Sequence, residues 1–175
     1  VIPMFPKSFS NGIGSLNETE DRLALSVFLT VQPDGRVVDS DFARTVIHVD
    51  NRLSYGEVDE YLEGEGTPES VRGQTDLLDV MITVSQRMRQ RRMDRGSLDF
   101  DLPEVSLRVS EGEVQEIVPV EHTVSHQAIE EFMIAANEAV AEFLTEKNAP
   151  LLYRVHEPPA TDDVKEFASF LEGMG

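Results

Sequence analysis

Hydrophobic positions along the chain fall into runs of two different periods. From Leu23 to Val31 the residues Leu23, Leu25, Val27, Leu29 and Val31 alternate with their neighbours, the two-residue period of a strand, and Arg36 to Val49 is again rich in Val and Ile. Pro33-Asp34-Gly35 separates the runs, so they predict a β-hairpin turning at Asp34-Gly35. Residues 1 to 21 precede it as a loop rich in Pro, Gly, Asn and Ser. After the hairpin, Ser54 stands three residues before Glu57 in capping-box spacing, and Val58, Tyr61 and Leu62 share one face of the short helix that should follow.

The period then changes to that of longer helices. Residues 69 to 92 carry Val71, Leu77, Leu78, Met81, Ile82, Val84 and Met88 at helical spacing and end among arginines, which suit the negative end of a helix dipole. Leu98 to Val109 and Glu113 to Val120 predict a second hairpin around Glu111-Gly112. Residues 124 to 147 predict a long amphipathic helix whose apolar stripe is Ile129, Met133, Ala136, Val140 and Leu144. A strand over Leu151 to Val155 and a last helix from about Asp162 to Leu171 complete the order ββααββαβα. No repeat or linker divides it, so the expectation is one α/β or α+β domain, 1–175, with a mixed, largely antiparallel sheet packed with helices.

Composition narrows what such a domain can do. With 40% hydrophobic residues the chain can bury a core, whereas 33 acids against 15 bases leave a formal charge of -18. That charge argues against unaided electrostatic binding to a phosphate backbone, so a nucleic-acid role needs basic surface from elsewhere. Cysteine is absent, which removes disulfides, thiol nucleophiles and cysteine zinc sites, and fits a cytoplasmic protein. No apolar run approaches the roughly 18 residues of a membrane span, and no signal peptide opens the chain, so the expectation is a soluble protein. A start at Val1 and an end at Gly-Met-Gly fit a piece of something larger.

Few residue clusters carry chemistry by themselves. Asp34, Asp39 and Asp41 resemble part of a carboxylate metal site, yet Asp34 belongs to the turn and strand alternation puts Asp39 and Asp41 on a solvated face. His122 and His126 stand four apart without a third ligand nearby or the H-E-x-x-H order. Arg87, Arg89, Arg91, Arg92 and Arg95 concentrate positive charge, either for phosphate or to balance neighbouring acids at a solvated helix end. Tyr55 and Phe100 fit base-stacking platforms or core positions alike. Glu130 and Glu131 project about 100 degrees apart on a helix and form no acid pair by themselves; Glu130, beside the stripe, is the candidate for a polar contact in a cavity.

Several segments taken together resemble one family. Ile2-Pro3-Met4-Phe5-Pro6, Ser15-Leu16, Arg22-Leu23-Ala24-Leu25-Ser26-Val27, Arg52-Leu53-Ser54-Tyr55, Glu130-Glu131-Phe132-Met133-Ile134-Ala135-Ala136-Asn137 and Tyr153-Arg154-Val155-His156-Glu157 stand in the order of the catalytic RNB domain of the ribonuclease II and ribonuclease R family. The resemblance covers essentially the whole chain. It implies a processive 3'-to-5' exoribonuclease that hydrolyses single-stranded RNA to 5'-mononucleotides with Mg2+ held by aspartates. It further implies RNA-binding roles for Tyr55 as the channel tyrosine, Phe100 as the base-stacking aromatic and Glu130 as the acid near the terminal nucleotides.

Other family parts fall outside these residues. The metal-binding aspartates should precede Ile2-Pro3-Met4, the catalytic arginine in a Ser-Pro-x-Arg-x-Tyr-like motif should follow Gly175, and the flanking OB-fold RNA-binding domains belong to the longer protein. The resemblance therefore implies an internal fragment, catalytically inactive alone and holding no metal itself. A non-catalytic RNB-like module that binds RNA or protein is the alternative.

Overall fold

A computed structural model of the protein describes residues 3–98, 104–110, 113–120 and 122–174. They contain four strands and four α-helices: β1 (Asp21–Val31), β2 (Val37–His48), α1 (Tyr55–Leu62), α2 (Thr75–Asp94), β3 (Glu104–Ser110), β4 (Glu113–Val120), α3 (Val124–Glu146) and α4 (Thr161–Met174), after a short π-helical turn at Phe9–Ile13. This is an α+β arrangement whose strand ladders are both antiparallel. The strands pair only locally, β1 with β2 and β3 with β4, as two separate hairpins.

The first hairpin turns as its sequence predicts. Gln32 N–H donates to the Arg36 carbonyl at 2.8 Å, and the Asp34 carboxylate accepts from Arg36 N–H at 3.0 Å. Gly35 has φ +81, a left-handed conformation that glycine adopts without penalty. A Cβ at Gly35 would also lie 2.4 Å from the Arg87 backbone, so the turn packs directly on α2. Strict alternation along β1 gives the strand but not its covered side. Leu23 and Leu25 are exposed while Ala24 and Ser26 are half-buried, and the covered side changes between Ser26 and Val27.

Around α1, Val58, Val71 and Leu78 form a buried cluster, joined by Leu53, Tyr61, Leu62 and Met81. The helix predicted from residue 69 begins at Thr75 instead. Gly73 takes φ +85, and turns after Pro68 carry Val71 into the core without helical backbone. In α3 the predicted apolar stripe is displaced: Ser125, Ala128, Glu131, Ala135 and Ala139 are buried, whereas Met133 is exposed.

Two compact units are present, Val1–Glu142 and Phe143–Gly175. In the second, α3 ends where Asn148 takes φ 50 ahead of Pro150, a helix stop built from a left-handed residue and a proline. The strand predicted over Leu151–Val155 is not formed. A strand requires a ladder partner for its backbone groups, and none of the described strands pairs with this segment, which instead runs irregularly with Leu152 exposed and the Tyr153 hydroxyl bonded to that of Thr145. The last helix, predicted from about Asp162 to Leu171, extends over Thr161–Met174. Among the described residues no helix is long and apolar enough to cross a membrane.

Candidate nucleic-acid interface

Tyr55 owes its position to the cap of α1. Ser54 Oγ accepts from Glu57 N–H at 3.4 Å, and Ser54 N–H donates back to Glu57 Oε2 at 2.9 Å, the reciprocal pair of a capping box. Tyr55 is thereby fixed as the first residue of the helix. The Ser54 hydroxyl donates to Glu57 Oε2, and Ser70 Oγ donates to Oε1 at 2.7 Å. These bonds, the Ser54 side chain first, then Ser70 and the Ser54 backbone, hold the Glu57 carboxyl down to about 2, against a small opposing effect of desolvation.

One face of the Tyr55 ring lies on His126, with 3.8 Å between ring centroids and 19° between planes. Tyr55 remains 43% exposed, so part of its surface faces solvent. An apolar cleft of about 290 Å³ opens beside it between α1, α2 and α3, lined by Leu53, Leu78, Met81 and Ala128 among others. This is a ring with one supported side next to an apolar recess. Such a surface can accept a base by stacking, because every base has a π-face.

The acids of α3 divide in the opposite way from the sequence expectation. Glu131 is the buried one, at 3% side-chain exposure, and Glu130 is half-buried. The Arg92 guanidinium grips Glu131, Nη2 at 2.5 Å and Nε at 3.1 Å from Oε1, with Arg89 at 3.8 Å. Glu130 reaches Arg92 at 3.6 Å and His122 Nε2 at 3.6 Å. Glu131 is thus a structural anchor for α2 against α3, and Glu130 retains the accessible carboxylate. Helical phase explains the reversal: once Ala128 and Ala135 face inward, the position between them that faces with them is 131 rather than 130.

The remaining sequence candidates separate clearly. Arg91 pairs with Asp34 at 3.9 Å and Arg95 with Glu138 at 3.7 Å, so this arginine-rich helix end balances acids around it. Arg91, Arg95 and Glu138 border a polar cavity of about 390 Å³ between the β1–β2 turn, α2 and α3. Asp39 and Asp41 are exposed on β2. Phe100 lies outside the described residues. No group of three or more His, Asp or Glu among the described residues is placed to hold a metal ion. A contact pattern that sequence reasoning missed links Tyr55 and Glu130: between them lie the rings of His126, on the first turn of α3, and His122, just ahead of that helix, 6.0 Å apart. The i, i+4 histidine spacing was its only visible signal.

Comparison with known proteins decides the family. The model of the RNB domain matches residues 1–174. This chain belongs to the RNB domain family. Ribonuclease R of Thermotoga maritima is 40% identical over 177 residues, covering all of this chain and 25% of that protein. Ribonuclease R of Aquifex aeolicus is 38% identical, covering 99% and 25% respectively. The chain therefore spans about a quarter of the length of these relatives. Among solved structures, Mycoplasma genitalium RNase R in complex with double-stranded RNA superimposes with a TM-score of 0.93 at 26% identity, covering 99% of this RNB chain and 31% of that one.

Proposed function

We propose that this RNB chain forms part of the RNA channel of a processive 3'-5' exoribonuclease that hydrolyses single-stranded RNA to 5'-mononucleotides. The observation that carries the proposal is the match to the RNB domain along residues 1–174, together with close structural similarity to an RNase R solved with RNA. In this reading Tyr55 stacks on a base near the 3' end, Phe100 stacks on another, and Glu130 orients the terminal nucleotide. The exposed part of the Tyr55 ring and the accessible Glu130 carboxylate suit those tasks. With a formal charge of -18, this portion contributes stacking and hydrogen bonding, and the positive field for the phosphates belongs to flanking OB-fold domains.

Mg2+ enters the proposal as the family's cofactor, held by residues other than those described here, and these 175 residues alone are then inactive. A cytoplasmic location belongs to the same proposal. The test is degradation of unstructured oligoadenylate by the full-length protein with Mg2+ and with EDTA. Metal-dependent loss of RNA with binding retained in EDTA supports the enzyme. Binding without hydrolysis in either condition supports a non-catalytic RNB-like module instead.

A further inference from the structure

The ring beneath Tyr55 is held by more than the stack. Thr123 Oγ1 lies 2.8 Å from Asp59 Oδ2 and 2.7 Å from His126 Nδ1, and Ser125 Oγ lies 3.1 Å from the same hydroxyl. A carboxylate only accepts, so the single Thr123 proton goes to Asp59. Toward His126 the Thr123 oxygen must then accept, which places a hydrogen on Nδ1 and fixes the orientation of the imidazole. Asp59 Oδ1 in turn faces the Ser125 backbone N–H at 3.4 Å, at the start of α3 where helix N–H groups lack partners. Asp59, on α1 one turn after Tyr55, thereby ties the beginning of α3 to the helix that carries the tyrosine.

We infer that His126 is a positioning residue for RNA binding: its flat ring is the back-plate that keeps Tyr55 oriented so that the exposed part of the tyrosine ring receives a base. This rests on the RNA-binding role proposed for Tyr55. A free tyrosine at a helix start samples several rotamers, and ordering one of them on RNA binding costs affinity. A ring stacked at 3.8 Å behind it supplies that order before the RNA arrives. The effect depends on a flat aromatic surface at position 126, whereas a purely structural role would depend on the hydrogen bond to Thr123.

Two substitutions separate these demands. His126→Phe keeps the flat ring and loses the bond, and His126→Gln can keep a donor to Thr123 and loses the ring. Affinity for fluorescein-labelled oligoadenylate is measured in EDTA on the full-length protein and on Tyr55→Ala, His126→Phe, His126→Gln and the Tyr55→Ala/His126→Gln double variant, with thermal melting of each. Tyr55→Ala and His126→Gln should each weaken binding by roughly fivefold or more, the lower end of what one lost base stack costs. His126→Phe should stay within about twofold of the parent, and the double variant should be no weaker than the weaker single, because both changes remove one platform. If Gln binds normally while Tyr55→Ala is weak, if Phe is weakened as much as Gln, or if the losses multiply, the back-plate role is overturned and the role of Tyr55 stands. If Tyr55→Ala itself binds like the parent, the underlying reading of Tyr55 fails, and the inference with it.

Discussion

At the scale of single residues, Glu130 and Glu131 show how far one helical step changes a carboxylate. Glu131 is gripped by Arg92 in a nearly closed environment, so removing it leaves a guanidinium facing an emptied site. Glu131→Ala should lower stability by about 3 kcal/mol, the lower end for breaking a buried pair because Arg92 keeps some access to water. Glu130→Ala should cost less than about 1 kcal/mol, as partly exposed pairs do. Urea unfolding of the two variants beside the parent measures both. Adjacency of the two acids was plain in the sequence, but their assignment was not, because helical phase depends on which stripe the neighbours cover. Glu57 gives a pH prediction of definite sign. Its carboxyl is held below the ordinary 4.5 at about 2, so the capping box contributes fully above pH 4.5 and loses its contribution as pH falls toward 2. Far-UV circular dichroism should show helix loss in that window, and Glu57→Gln, which has no titrating group there, should lose less helix between the two pH values.

At the scale of elements, local signals foretold whatever local chemistry decides. The Ser54 cap, the Asp34-Gly35 turn and the starts of β2 and α3 were legible because each depends on a few adjacent residues. The start of α2 was missed because the apolar spacing begins at Val71, which reaches the core from a turn and not from a helix. The segment Leu151–Val155 was misread for a complementary reason: β propensity is visible in sequence, but the strand that would pair with it is not. The predicted stripe of α3 was placed by hydrophobicity and missed Ala128, Ala135 and Ala139, because the covered side follows neighbouring elements that the local sequence does not show. Gly35 connects turn and helix in one position. Gly35→Ala should destabilise by about 2 kcal/mol or more, since it adds left-handed strain to a clash with the Arg87 backbone, and a shift of the urea midpoint reads it.

At the scale of the whole molecule, fold class and family were legible because motif order extends over the full chain, whereas the support beneath Tyr55 was not. That support comes from Asp59 and Thr123, residues 64 positions apart that no local pattern pairs. The exposed faces of Leu23, Leu25 and Val46 on the first hairpin, and of Phe167 and Phe170 on α4, were equally hidden behind regular alternation and periodicity. The central claim is that Tyr55 and Glu130 line the path of an RNA end being shortened from its 3' side. Time-resolved digestion of 5'-labelled oligoadenylate by the full-length protein, with Mg2+, tests it most directly, run beside Tyr55→Ala and Glu130→Ala. The account predicts that label stays on chains shortened from the 3' end, and that the two variants change the length at which digestion stops or its rate by at least tenfold. Release of the labelled 5' nucleotide at the outset, or ladders from both variants that match the parent in length and rate, would contradict it.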